Sequence, residues 1–378
     1  MSAAAPSGTW CGVAALAGAA RACARRKRGR LDAIAFRLRE GEEVLALAHR
    51  LEEGSYLPEP GRVFVTEHPK HREVHAAVYR DRVVHHLIHA LLEPVFEPTF
   101  SEASFACRRG KGTHAAVRHL QARIWRSTRH GGVRGYALQM DVVNFFMSLH
   151  KLALLEMLAG PVRRLEGQLA QRLPPSGFGP WELCQRIVRH DPTAGAKRVG
   201  DLALFPRVPP HKRLGGLGPD RGIPIGNLTS QFFANVYLSP LDHFVQRTLG
   251  FGAYVRYVDD LVVLDTDAGR LDETRARIEA FLRGRLHLEV RAKPIEPVSA
   301  GVDFLGYVVR PRYLLPRRRV VEACRARLDE EARRARVVEV RASVRIRVPR
   351  LGPVAGPVRV TWIDEAACER LRAIWASY

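Results

Sequence analysis

Apolar residues at helical spacing open the chain: residues 31–53 place Ile34, Phe36, Leu38, Val44, Leu45 and Leu47 as a helix would. GSYLPEPG then breaks the pattern, and RVFVTEH after it has strand composition. RDRVVHHLIHALLEPVF (residues 80–96) returns to a helix. SFACRRGKGTHAAVRHLQARI joins a basic, glycine-containing turn to another helix, and GYALQMDVVNFF reads as a strand ending at Asp141. A helix is predicted over 149–173. Residues 174–222, rich in Pro and Gly, read as a long and partly irregular insertion. TSQFFANVYLSPLDHFVQRTL is helical again, with Thr229 or Ser230 as its N-cap. A further helix is predicted over 271–286 and a strand at VDFLGYVV. Beyond Arg310 the chain is arginine-rich, with RRRVVEACRARLDEEARRARVV an amphipathic helix, and no clear pattern follows from Val337. No internal repeat is present.

One stretch resists a purely structural reading. Tyr254 to Leu264 reads YVRYVDDLVVL, two apolar strand-like runs around adjacent aspartates. Such runs predict a β-hairpin. Tight hairpin turns prefer Asn-Gly or Asp-Gly, because central positions need positive φ. Asp-Asp supplies no glycine, so turn-making explains it poorly.

The chain has 378 residues and 46% hydrophobic composition, enough for a large buried core. Its 60 Lys and Arg against 39 Asp and Glu leave a net charge of +21, which points to a polyanionic partner and first to nucleic acid. No apolar stretch approaches the roughly 20 residues that span a bilayer, so no membrane partner is expected. Six cysteines form no C-x-x-C pair, which indicates neither a zinc ribbon nor a disulfide framework and fits a reducing cytoplasm. The apolar patch CGVAALAGAA precedes its basic run RACARRKRGR, the wrong order for a secretory signal, and reads as a short helix.

Asp141, Asp259 and Asp260 are the candidate chemistry. If their strands are neighbours, three carboxylates converge at one sheet edge. Two carboxylates about 4 Å apart repel by roughly 4 kcal/mol at an effective dielectric near 20. Such a cluster needs shifted pKa values or bound cations, and oxygen-only ligands select Mg²⁺ or a similar hard ion. The alternative is two unrelated exposed turns. Histidines 85, 86 and 89 lie on an otherwise apolar helix with no Glu or Cys completing a ligand set, so they read as structural. GKG at residues 110–112 lacks the P-loop spacing.

QMDVVNFF, RGIPIGNLTSQFFANVYLSPLDHF, YVRYVDDLVVL and VDFLGY occur in this order, with SFACRRGKGTHAA upstream. Together they resemble the reverse transcriptases of bacteria, and more narrowly those of diversity-generating retroelements, over about residues 14–315. The resemblance implies an α+β right-hand polymerase of fingers, palm and thumb, with an antiparallel palm sheet packed on helices. It implies RNA-directed DNA synthesis with two Mg²⁺ ions, for which Mn²⁺ can substitute, and it names roles. Asp141, Asp259 and Asp260 match the catalytic carboxylates, with the carbonyl of Val142 completing the metal site. Phe146 matches the bulky residue beneath the sugar that favours dNTPs. Arg72, Arg108 and Lys111 match cations that hold the triphosphate, and Lys293 a lysine near the leaving pyrophosphate. Ile225 stands before Gly226 where many such polymerases carry Gln, a departure that implies weaker base discrimination.

The implied partners are an RNA template, a DNA or RNA primer, dNTPs and a small basic accessory protein. The domains expected are a basic helical extension over 1–50, fingers and palm over 51–315 and an arginine-rich thumb over 316–378. There the chain departs from the family: residues 338–365 read as inserted, and LRAIWASY resembles a thumb helix that stops. Two rivals stay open, another bacterial reverse transcriptase of retron or phage-defence type and a non-catalytic RNA-binding scaffold.

Overall fold

The computed structural model describes residues 8–25, 29–67, 70–334, 337–348, 352–363 and 365–376. Residues 26–28 of the basic run and the last two of LRAIWASY lie outside the described residues. The chain divides into two compact units, 1–299 and 300–378.

The first unit begins with α1 (Val13–Ala24), α2 (Leu31–Leu38) and α3 (Glu40–Glu52). The helix expected over 31–53 is thus broken at Arg39, whose φ of −123° leaves the helical region. These segments are part of the core. Trp10 is buried, stacks on Phe178 at 6.2 Å and donates its indole N–H to the Phe178 carbonyl at 3.0 Å. The expected N-terminal extension is therefore built into the first unit.

A hairpin of β1 (Arg62–Thr66) and β2 (Arg72–Ala76) leads into α4 (Tyr79–Phe96), and α5 (Thr113–Ser127) follows. Next come β3 (Tyr136–Val142), the single turn α6 (Phe145–Ser148) and α7 (Lys151–Gln168). The 174–222 stretch carries more structure than expected. It forms α8 (Pro180–Arg189), started by a proline at its first position and burying Leu183, Cys184 and Val188. It then adds β4 (Lys197–Arg198) parallel to β1. Short range hid this helix, since ten residues between Pro/Gly clusters offer few periods to count.

Helix α9 (Leu228–His243) is capped at Asn227, so Thr229 and Ser230 lie inside it, both buried. The Thr229 hydroxyl is used instead at His85 Nδ1, 2.7 Å away. After β5 (Tyr254–Tyr257) and β6 (Asp260–Asp265), α10 (Ala268–Leu286) starts at Asp267, whose carboxylate accepts from Gly269 N and Arg270 N. Strands β7 (Val290–Ala292) and β8 (Glu296–Pro297) close the unit's main sheet. Its order is β5-β6-β3-β7, all antiparallel, with β8 also pairing β3. Helix α10 packs on β3 and β6, and α5 on β5 and β6. Leu138, Met140, Leu261, Val262 and Val263 are buried in that layer.

The second unit starts with β9 (Val302–Phe304), β10 (Tyr307–Val309) and β11 (Leu314–Pro316), an antiparallel meander. VDFLGYVV is thus a hairpin, because Leu305 (φ 50°) and Gly306 (φ 86°) both take positive φ and turn the chain. Helices α11 (Arg318–Arg334) and α12 (Glu365–Ala376) pack together, with Arg370 paired to Glu331. Between them runs a long hairpin, β12 (Val337–Val348) against β13 (Gly352–Ile363).

Candidate active site

The two carboxylate-bearing segments are brought together by sheet register. Antiparallel pairing of β3 with β6 sets Asp141 directly opposite Asp260. Residues so opposed share one face of a sheet, with Cβ atoms about 4.5–5.5 Å apart. On the other side of Asp141, β7 places Arg291 at the facing position. Asp259 stands in the turn before β6, and its carbonyl accepts from Val142 N at 3.1 Å, which ties the turn to the end of β3.

That turn answers the question raised by the missing glycine. Tyr257 pairs with Asp260, so the two-residue loop is Val258–Asp259 and not Asp-Asp. The positive φ falls on Val258, at 53°. A β-branched residue there is an outlier, strained on the order of 1–3 kcal/mol.

Burial and mutual repulsion show in the acids themselves. Asp260 is pushed up to about 6, first by burial and then by the charges of Asp259 and Asp141, while Lys293 and Lys70 pull it the other way. Asp259 is raised as well, by burial and by Asp141, against the pull of Arg72 and Arg256. Arg72, Lys293 and Lys70 are therefore among the cations whose charge reaches these carboxylates, together with Arg256, and Arg291 is registered opposite Asp141. Lys70 was missed in the sequence because it sits in a bend with no motif around it. Among the described residues, no group of three or more His, Cys, Asp or Glu is arranged to hold a metal ion as it stands.

Arg108 and Lys111 are occupied elsewhere. The Arg108 side chain is 3% exposed, ion-paired to Glu97 at 2.8 Å and donating to the carbonyls of Ser101 (2.5 Å) and Ser104 (2.8 Å). Lys111 Nζ donates to the carbonyl and carboxylate of Glu102, both at 2.9 Å. In this structure both brace the segment before α5, Arg108 from a buried position and Lys111 through the exposed Glu102.

Phe146 lies in α6, one turn after Asp141, where Asn144 in left-handed geometry (φ 47°) reverses the chain. Its ring is half-buried and meets Phe145 edge-on at 5.3 Å. The Phe146 carbonyl accepts from Ile223 N at 2.9 Å, so the Ile223–Gly226 loop runs beside it. The same loop is fixed to β2, where His75 N donates to the Ile225 carbonyl at 2.9 Å. Gly226 has φ 120°, and a Cβ there would fall 2.7 Å from Val74 Cγ1. Only glycine lets the loop lie this close to the strand. Ile225 itself is half-buried.

Two of the histidines on α4, His85 and His89, are used in packing. His85 is buried against Thr229 and pushed down to about 3 by desolvation, so it is neutral. His89 packs edge-on against Phe232 at 5.3 Å. No described helix is long and apolar enough to cross a membrane.

No family model and no curated protein matches this chain. Among solved structures it is similar to telomerase from Candida albicans in complex with a fragment of telomeric RNA, at 11% identity and a TM-score of 0.46, over 72% of this chain and 51% of that one. It is also similar to apo telomerase from Candida tropicalis truncated from its C-terminal domain, at 13% identity and a TM-score of 0.44, over 68% of this chain and 54% of that one. The chain spans about half the length of these structures.

Proposed function

We propose that this chain is an RNA-directed DNA polymerase. The observation that carries the reading is the register that opposes Asp141 to Asp260, with Asp259 in the adjoining turn and Arg72, Lys70 and Lys293 among the cations acting on them. Two of these acids, Asp259 and Asp260, are raised by burial and then by neighbouring carboxylates, in a basic protein of net charge +21. Substrates that are polyanions and reach carboxylates through cations fit that arrangement, and nucleotides on a nucleic-acid template are such substrates. The motif set that resembles reverse transcriptases gives the direction of the reaction.

The donor set fits hard cations, because it is made of oxygens alone. Asp141, Asp259 and Asp260 with the carbonyl of Val142 would hold two Mg²⁺ ions. Bound there, such ions supply activation of the primer hydroxyl and charge stabilisation at the transferred phosphate. The remaining work belongs to the chain. Arg72 offers a planar fork to phosphate oxygens, while Lys70 and Lys293 add point charges. Phe146 lies beneath the sugar and disfavours a 2′-hydroxyl by bulk. The Ile223–Gly226 loop meets the nascent base pair with an aliphatic side chain, which offers shape but no hydrogen bond. That property supports the finer reading, error-prone copying of a template-repeat RNA as in diversity-generating retroelements. The main sheet takes the palm role, β1–β2 and the segment before α5 the fingers role, and the arginine-rich part of the second unit from residue 316 the thumb role.

The test is dNTP incorporation on an RNA template with a DNA primer and Mg²⁺, wild type beside Asp259→Ala, with the product sequenced. Synthesis lost in the variant and errors gathered at template adenines support both levels. Accurate synthesis keeps the polymerase and removes the mutagenic role. Absence of synthesis in the wild type, on several templates and with Mn²⁺ also tried, removes the polymerase.

A further inference from the structure

Arg256 stands three residues before Asp259, and the proposed chemistry gives it no part. It is 1% exposed. Its Nε and Nη2 donate to the two oxygens of Asp242, at 2.6 and 2.7 Å, and Asp242 on α9 is wholly buried. Nη2 also donates to Ser104 Oγ at 3.0 Å. Nη1 donates to the carbonyl of Val258 at 3.0 Å. The backbone is pinned too: Arg256 N donates to Ala103 O at 2.8 Å, and Phe105 N to Arg256 O at 3.0 Å. The Tyr254 hydroxyl completes the shell by donating to Asp242 at 2.8 Å.

A buried ion pair of this kind is weak support for stability, because an apolar pair of equal volume often does as well. What an apolar pair cannot replace is the bond to Val258. That residue holds the positive φ which turns β5 into β6, without the glycine that would adopt it freely. Its carbonyl belongs to the peptide that leads directly into Asp259. The guanidinium is held at its far side by Asp242 and Ser104, so its Nη1 is a fixed donor at a fixed place.

We propose that Arg256 is a positioning residue, which clamps the Val258 carbonyl and so holds the strained turn that presents the Asp259 carboxylate beside Asp141. Its consequence for turnover rests on the polymerase reading, while its consequence for cation binding by the carboxylates does not. Asp242, Ser104 and Tyr254 hold the clamp from α9, the segment before α5 and β5. The same guanidinium therefore ties the turn to α9 and to the segment before α5.

The experiment uses the full chain and Mn²⁺ as probe, with free Mn²⁺ read by electron paramagnetic resonance. The part of the binding lost in Asp259→Ala defines the site. The double variant Arg256→Met with Asp242→Leu removes both buried charges together, so no charge is left buried and unpaired, and its melt shows whether it folds. Its site affinity for Mn²⁺ is expected to fall about 10–100-fold, the usual effect of removing a group that orients a ligand. In the incorporation assay kcat falls by a similar factor, with the KM for dNTP within about 3-fold. Arg256→Lys keeps the charge on Asp242 but lacks the fork to reach Val258 as well, and is expected to lose Mn²⁺ affinity at least about 5-fold. Wild-type Mn²⁺ affinity in a folded double variant overturns the clamp. Should the double variant not fold, wild-type affinity in Arg256→Lys overturns it. If the wild type proves inactive on every template, the polymerase reading fails, and the Mn²⁺ measurement still decides the clamp.

Discussion

Asp141 and Asp260 occupy directly opposed positions on β3 and β6, two acids where a stable sheet would pair opposite charges or apolar side chains. The opposition carries an electrostatic cost, and it is measurable as one. Asp260→Asn removes one of the two charges and keeps the shape. In metal-free buffer at neutral pH the variant is expected to be more stable than wild type by about 1–2 kcal/mol, after allowing for solvent at a half-buried site. Denaturant melts in chelator test this, and a destabilised variant would show that the carboxylate is satisfied without a cation.

The same pair makes stability depend on pH in an unusual direction. Asp260 is raised from its ordinary 3.8 to about 6. Between those values the folded chain holds a proton that the unfolded chain has released, so stability falls as pH rises through about 4 to 6. Millimolar Mg²⁺ binds the ionised form and competes with that proton. Its stabilisation, read as a rise in melting temperature, is expected to be clear at pH 7.5 and largely gone at pH 5, and absent from Asp259→Ala at both.

Much of this site is legible in the sequence, because each motif is local. Asp141 closes an apolar strand and the aspartate pair sits between two others, so strand pairing alone brings them together. The position of the turn was not legible. It depends on which residues pair across β5 and β6, and the residue carrying the positive φ proved to be valine. Nor was the fate of Arg108, since a basic loop residue looks the same whether it faces solvent or Glu97. Helix α8 is short, and β12 and β13 hide behind Gly and Pro at residues 352, 353, 356 and 357, although apolar residues fall at alternate positions from 338 to 348.

Arg72 and Arg108 should separate cleanly by what their loss affects. Arg72 is exposed on β2 and acts on Asp259, while Arg108 is buried in hydrogen bonds to Glu97, Ser101 and Ser104. Arg72→Ala is expected to change stability by less than about 0.5 kcal/mol, as surface substitutions do. Losing a charge-assisted phosphate contact worth about 1.5–3 kcal/mol raises the KM for dNTP roughly 10–100-fold. Arg108→Met leaves two carbonyls and a carboxylate without their donor and is expected to cost about 3 kcal/mol of stability. Paired melts and steady-state kinetics would show the two effects exchanged if the roles are misassigned.

Gly226 offers the most direct route to the loop that carries Ile225. Its φ of 120° excludes a side chain on conformational grounds, and a methyl group would sit 2.7 Å from Val74 Cγ1 and 3.3 Å from the His75 carbonyl. Gly226→Ala therefore has to push the loop off β2 or flip its backbone, at a cost of about 1–3 kcal/mol. Either response strains the bond from His75 N to the Ile225 carbonyl that fixes the loop. Because the loop lies beside Phe146 and away from the carboxylates' own strands, cation binding by the acids should persist. The expected outcome is wild-type Mn²⁺ affinity at the Asp259-dependent site with incorporation reduced at least about 10-fold and an altered error spectrum, as a misplaced binding surface of this kind produces. Incorporation and errors indistinguishable from wild type would show that Ile225 does not meet the base pair, and the mutagenic reading would lose its structural support.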